Sequence, residues 1–290
     1  MVIKNARSSF FRLFPAGALA LVFAVLMSFA SAVRAADRAD VDRFLKITGF
    51  DIALETIALG ALNAPEMLGQ DPGDFGDKWR STVEEVMKPA EIVELGAMML
   101  EKTLEQELLD HGLAFYGSDF GMMVVAAENA AHQDPDDATR DEAGQAIVSA
   151  LVRAGAEGRN RLDYLRRMNA AVDSEGMALR AIEEIQIRFL MAAAAHGVIA
   201  LRMDEADMRE MFRRQEAQNR AALLASGLAN AAYTDQSLSD DELRRYTEAL
   251  EAPKMKELYT LMKAIQYEIT AMKFETLASR MADLRPSQEL

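Results

Sequence analysis

Residues 253–272 read PKMKELYTLMKAIQYEITAM, and they carry the most regular apolar pattern in the chain. Apolar residues recur there at alternating spacings of three and four, namely Met255, Leu258, Met262, Ile265, Ile269 and Met272. Such spacing forms one continuous apolar stripe on a helix and is typical of helical bundles and coiled coils. Because the stripe is short, we expect it to pack within one chain, although it would also suit a homo-oligomer that pairs through this final helix.

The rest of the chain extends this prediction to an all-α fold. Hydrophobic residues make up 50% of the sequence, methionine occurs 18 times, and there are only 7 prolines. Ala, Leu, Met and Glu lose little side-chain freedom in a helix, and no stretch alternates in the manner of a strand. Ser118 and Ser239 stand where helices should begin, and serine is a preferred N-terminal cap. The sequence therefore predicts a multi-helix bundle.

The N-terminal residues have the order of a secretory signal peptide. Basic residues precede a mostly apolar stretch at 13–27, and mainly small residues follow at 30–36. This order predicts cleavage after Ala35, with Ala32 as the alternative. The rival interpretation is an uncleaved anchor, but the apolar run is shorter than the roughly 20 residues that a spanning helix needs. We therefore expect residues 1–35 to be a signal peptide, the protein to be periplasmic, and no membrane span to remain after cleavage.

Charge and cysteine content exclude several classes of function. The formal net charge is −14, and loss of residues 1–35, which contain bases but no acids, would leave a still more acidic protein. An acidic surface repels phosphate backbones, so we expect no nucleic-acid partner. The absence of cysteine rules out disulfides, thiolate metal sites and cysteine nucleophiles.

Turn-forming residues divide the remaining chain into three segments. We predict a helical domain at 36–133, a linker and connecting helix at 134–158, and a second helical bundle at 159–290. The linker begins with the sequence DPDD at 134–137. Its acids lack the alternate spacing, the glycine and the final glutamate of a calcium-binding EF-hand loop, so we interpret it as a linker and helix cap.

Part of the first segment resembles a known family. Residues 107–109 (ELL) lead into residues 115–121 (FYGSDFG), and residues 44–49 (FLKITG) lie upstream, followed by Trp79. In order and spacing, this resembles the bacterial exported helical proteins grouped as "domain of unknown function 2059", over residues 42–132. The chain departs from the family pattern at Asp119, where the family usually has proline.

The resemblance implies a helical bundle in the periplasm, and it implies no catalytic residues. Its structural motif comprises Phe115, Tyr116, Ser118 and Gly121. In this interpretation the aromatic pair ends one helix and Ser118 caps the next, which fixes a helical hairpin. The second half has a helix break at a similar distance, before Pro253, so a diverged helical repeat is one of two interpretations left open.

One group of residues was considered as a metal site. Glu128 and His132 lie four residues apart on one helix face, and His111 would approach from the preceding helix. Histidine and carboxylate are zinc ligands, but this spacing matches no metal motif. We therefore predict no metal and no cofactor, and retain these three residues only as candidates.

Local motifs of catalysis are also lacking. The sequence contains no Gly-x-Ser-x-Gly elbow, phosphate-binding loop or dinucleotide fingerprint. Acidic residues are so numerous that no functional carboxylate pair can be chosen from spacing alone. We therefore name no catalytic residue.

Three classes of function remain. The leading hypothesis is a non-catalytic binding or interaction module whose partner is a periplasmic protein. The second is a carrier that holds an apolar small molecule or lipid between its methionine-rich helices. The third is an enzyme whose site assembles from residues far apart in the chain.

Overall fold

The computed structural model describes residues 36–133 and 137–284. These residues form α-helices joined by turns and short 3₁₀ segments, without a strand among them, which confirms the predicted all-α bundle. The predicted signal peptide and residues 134–136 of the predicted linker lie outside the described residues. The helices are α1 (Arg38–Thr48), α2 (Phe50–Glu55), α3 (Ile57–Ala61), α4 (Gly76–Val86), α5 (Pro89–Thr103), α6 (Gln106–Tyr116), α7 (Asp119–Gln133), α8 (Asp137–Arg153), α9 (Ala156–Val172), α10 (Met177–Ala195), α11 (Glu205–Thr234), α12 (Asp240–Leu250) and α13 (Pro253–Met281).

The apolar stripe of α13 lies at the centre of the bundle, within the chain itself. Its first five members are buried: Met255, Leu258, Met262, Ile265 and Ile269. The sixth, Met272, is 38% exposed, so the prediction was wrong at that position. An α-helix has 3.6 residues per turn, and the C-terminal half of α13 lies between α4 and α10. There Phe274 packs edge-on against Phe189, so the buried face has moved away from Met272.

The turn between α6 and α7 is a tight helical hairpin. The Oγ of Ser118 accepts a hydrogen bond from the Gly121 N–H at 3.0 Å, which confirms the predicted cap. A Cβ atom at Gly121 would lie 2.1 Å from the carbonyl oxygen of Phe115. The two helices therefore meet in backbone contact at this glycine.

The segments predicted as separate bundles share one hydrophobic core. Buried residues of 36–133 and of 159–284 belong to the same cluster, and the described residues belong to one compact unit. At Gly112 of α6, for example, the side chains of Phe44 and Leu258 approach from the two segments. None of the helices within residues 36–133 and 137–284 has the length and hydrophobicity needed to cross a membrane.

The capping box at α12 provides a test of this local structure. Ser239 accepts from the Glu242 N–H, and the Glu242 carboxylate accepts from the Ser239 N–H at 2.8 Å. We expect Ser239→Ala to lower the free energy of unfolding by about 1 kcal/mol, because the Glu242 N–H loses the side-chain acceptor that caps the helix. Urea unfolding followed by circular dichroism measures this. Ser81→Ala is the matched control, since Ser81 lies exposed within α4 and should change stability by less than about 0.5 kcal/mol. Equal effects of the two substitutions would contradict the role assigned to the cap.

Candidate functional site

A polar cavity lies where the segments 36–133 and 159–284, which share the hydrophobic core, pack against each other. It is bounded by α1, α2, α6–α9 and α11–α13 and has a volume of about 320 Å³, near the lower end of the range of about 300–1,000 Å³ for small-molecule sites. Interiors of helical bundles are mostly apolar, so a concentration of polar groups here requires an explanation. The polar lining residues are Thr48, Tyr116, Glu128, Asn129, His132, Arg140, Asn169, Asn230, Thr234, Asp235, Tyr246, Tyr259, Lys263 and Gln266.

A larger groove of about 590 Å³ lies between α10, α11 and α13, but its charged groups largely satisfy one another. Arg188 donates to both Glu275 oxygens at 2.8 Å and to Glu268 at 2.9 Å. Arg209 pairs with Glu184 at 2.8 Å across the helices. These ion pairs stabilise helix packing and engage most of the groove's charged groups, although one oxygen of Glu183 is buried there without a partner. The smaller cavity has the larger set of polar side chains in its lining and is the better candidate site.

Three tyrosine hydroxyls form a hydrogen-bonded chain that ends on Glu128. Tyr246 donates to the Glu128 carboxylate, its hydroxyl lies 3.3 Å from that of Tyr259, and Tyr259 lies 2.7 Å from the Tyr116 hydroxyl. A phenol has one proton to donate. When Glu128 is ionised, the donors must therefore run in one direction, from Tyr116 through Tyr259 and Tyr246 to the carboxylate. Burial raises the pKa of each of these phenols, so all three stay protonated and serve as hydrogen-bond donors.

The α6–α7 hairpin holds this chain in place. The ring of Phe115 stacks on Tyr246 with centroids 6.1 Å apart and meets the Tyr116 ring edge-on at 4.9 Å. The close backbone contact at Gly121 fixes both aromatic residues at the end of α6. The four residues of the family-like motif therefore position the tyrosine chain in addition to closing the hairpin.

Glu128 interrupts the apolar face of α7. Val124 and Val125, on the preceding turn, are buried, whereas Glu128 is enclosed by helices and reaches the cavity. Burial raises its pKa to about 7, against the opposing effect of the hydrogen bond from Tyr246. Near neutral pH this carboxyl group therefore exists in both protonation states.

Asp235 is the second acid of the cavity, whose other acid, Glu128, is half-buried. Asp235 follows the last residue of α11 and is 3% exposed. Burial and the negative charge of Glu128 raise its pKa to about 7, while Arg161 acts in the opposite direction. The Arg161 guanidinium is engaged elsewhere, since it donates to the main-chain oxygens of Asp235 and Leu238 at 2.7 and 2.8 Å and to the Asp240 carboxylate.

One carboxylate oxygen of Asp235 is unsatisfied. Its Oδ1 is buried and has no hydrogen-bond partner among the described residues. A buried acceptor without a partner costs about 1–3 kcal/mol, and a negative charge at the C-terminal end of a helix is itself unfavourable. The fold therefore maintains an energetically costly acceptor in the same cavity wall as Glu128.

Two basic side chains lie on another part of the lining. Lys263 is on α13, one turn after Tyr259, and burial lowers its pKa while Asp173 acts in the opposite direction. His132 is on α7, one turn after Glu128, and its pKa is lowered by burial and by the charges of Arg140 and Lys263. Tyr259 on α13 and Glu128 on α7 are thus each followed, one helical turn later, by a basic side chain.

The structure separates the residues considered for a metal site. Glu128 and His132 both line the cavity, but His111 does not. Within residues 36–133 and 137–284, no three His, Asp or Glu side chains are grouped so that they could hold a metal ion. Glu128 instead takes part in hydrogen bonds, and a second acid, Asp235, lines the same cavity.

Sequence reasoning missed Asp235, Tyr246, Tyr259 and Lys263 as site residues. A signal was present for Glu128, which falls on the apolar stripe of α7 where a charge is unexpected. Comparison with models of known protein families, with curated proteins and with solved structures finds no match for the chain. Its similarity to the "domain of unknown function 2059" proteins therefore stays a prediction.

Proposed function

We propose that the chain is a binding protein that holds a small, positively charged organic molecule in the cavity, with its amine against Glu128 and Asp235. The observation that carries this proposal is the buried Asp235 Oδ1 without a partner, in a cavity wall that also holds the half-buried carboxyl group of Glu128. A bound ammonium group would donate to that oxygen and would offset the charge repulsion between the two acids.

The lining favours this ligand class over the apolar molecule of the earlier hypothesis. Hydrocarbon in contact with Glu128, Asp235 and Lys263 would displace water from three ionisable groups, which is energetically costly. Phenol rings, by contrast, contribute both hydroxyl acceptors and π-faces that attract cations. With the predicted signal peptide at 1–35, the proposal describes an exported, periplasmic protein, and the resemblance noted in the sequence agrees with that location.

Calorimetric titration with a series of n-alkylamines of three to six carbons tests the proposal. The protein is purified from cells that express the full chain, and the titration is done at pH 8, where both carboxyl groups are mostly ionised. We expect saturable binding of at least one amine. The double variant Glu128→Gln/Asp235→Asn should weaken it at least tenfold, because the amides carry no charge to stabilise the ammonium group.

The matched control removes two exposed acids, in the double variant Asp241→Asn/Glu248→Gln. Both residues lie on the surface of α12, paired with Arg244, and the net charge changes equally. We expect this control to bind the amines as the parent does. Absence of binding by every amine, or equal weakening in the two double variants, would overturn the proposal.

A further inference from the structure

Lys263 is a basic side chain in the cavity wall that the acid pair does not use. Among the described residues it makes no hydrogen bond or ion pair, and the charge that acts on it is that of Asp173. The Asp173 carboxylate is itself engaged, since its Oδ1 accepts from the N–H groups of Met177 and Ala178 at the start of α10. Lys263 thus retains its capacity to bind an anionic group inside the cavity.

The acidic and basic groups occupy different levels of the cavity. Tyr259 and Lys263 are four residues apart on α13, as are Glu128 and His132 on α7, which corresponds to about 5–6 Å along each helix axis. The charges acting on Asp235 are those of Glu128 and Arg161, whereas Lys263 and Arg140 act on His132. The lining is therefore polarised, negative around Asp235 and positive around Lys263.

We propose that the ligand is zwitterionic: a short ω-amino acid whose ammonium group lies against Glu128 and Asp235 and whose carboxylate lies against Lys263. This inference rests on the proposed function, to which it adds the anionic end of the ligand. A charged group buried in a cavity needs an opposite charge to be stable there, and a zwitterion supplies both partners with one molecule. The volume of about 320 Å³ suits a molecule of this size.

The test compares ω-amino acids of three to six carbons with n-alkylamines of the same chain lengths, again by calorimetry at pH 8. We expect at least one amino acid to bind tenfold or more tightly than its matching amine. Lys263→Met should abolish that difference and leave amine binding within about twofold of the parent. Lys263→Arg should restore a part of the preference, since it returns a positive charge.

The control is Lys254→Met, which removes the same charge from an exposed position on the same helix. It should leave both affinities unchanged. If the amines bind but no amino acid binds more tightly, or if Lys263→Met weakens both ligand series equally, the zwitterion inference is overturned and the proposed function stands. If neither series binds, the proposed function fails, and the inference fails with it.

Discussion

Gly121→Ala should destabilise the protein by about 3 kcal/mol, although the same substitution in an open helix is favourable. The new Cβ would lie 2.1 Å from the Phe115 carbonyl oxygen and 2.6 Å from the Tyr116 Cα. Both neighbours are backbone atoms, so no side chain can rotate away, and α6 and α7 must separate. Overpacking of this kind costs about 1–3 kcal/mol even where side chains can adjust.

Thermal unfolding measures this effect, with an expected decrease in Tm of about 6–12 °C for a domain of this size. Gly60→Ala is the control, because Gly60 is exposed at α3 and a Cβ there meets no atom within 4 Å. Helix propensity alone should leave this variant as stable as the parent or more stable by up to about 1 kcal/mol. A Gly121→Ala variant as stable as Gly60→Ala would contradict the close backbone contact.

Gly121→Ala should also disturb the cavity. The displaced atoms belong to Phe115 and Tyr116, which hold the tyrosine chain through ring stacking and a 2.7 Å hydrogen bond. A loss of hairpin geometry should therefore weaken amine binding in the fraction that remains folded. Gly121 is therefore needed both for the packing of α6 against α7 and for the position of the tyrosine chain in the cavity.

The helices could be predicted from local pattern because each has its own signals. Ser118 and Ser239 mark helix starts by cap chemistry, and the stripe of α13 follows from spacing alone. Met272 was wrongly predicted to be buried. The buried face of a helix depends on the helices that pack against it, and α13 packs against different helices along its length. The two segments share one core through contacts between residues that are far apart in the chain. Local sequence patterns do not show such contacts.

The candidate site was hidden for the same reason. Tyr246 and Glu128 are 118 residues apart in sequence, and each looks ordinary on its own helix. Among 46 acidic residues, only burial distinguishes the two that line the cavity. Glu128 gave a partial signal by interrupting an apolar face, whereas Asp235 lies just past a helix end, where an acid is common and uninformative.

The double variant Glu128→Gln/Asp235→Asn should be more stable than the parent at pH 8 by about 3 kcal/mol. Both carboxyl groups have a pKa of about 7 in the folded protein, above their ordinary values of 4.5 and 3.8. Between about pH 4 and pH 7 the unfolded chain releases protons that the folded protein retains. The stability of the parent therefore falls as pH rises through this window, and the loss is complete above about pH 8.

The magnitude follows from the same comparison. Each tenfold change in proton affinity corresponds to about 1.4 kcal/mol, so the two raised pKa values taken in full would give about 8 kcal/mol. Relaxation of the surrounding structure around buried charges lowers the expected effect to about 3 kcal/mol. Urea unfolding of parent and variant at a series of pH values isolates the two groups, because all other titrations cancel in the difference. We expect the free energies of unfolding of parent and variant to agree within about 0.5 kcal/mol at pH 4. The variant should then become increasingly more stable than the parent as the pH rises to 8. If the two curves ran parallel across the whole pH range, the raised pKa values assigned to Glu128 and Asp235 would be refuted.

A stabilising effect of removing the acids would bear directly on function. Proteins tolerate destabilising charges mainly where a ligand or a reaction requires them. A saturating alkylamine should then recover part of the stability of the parent at pH 8 and none in the double variant, since a ligand stabilises only the state that binds it. The exposed control Asp241→Asn/Glu248→Gln should keep the full response to the amine. Recovery of equal size in all three proteins would mean that the amine acts elsewhere on the surface, and the acid pair would lose its role as the binding site.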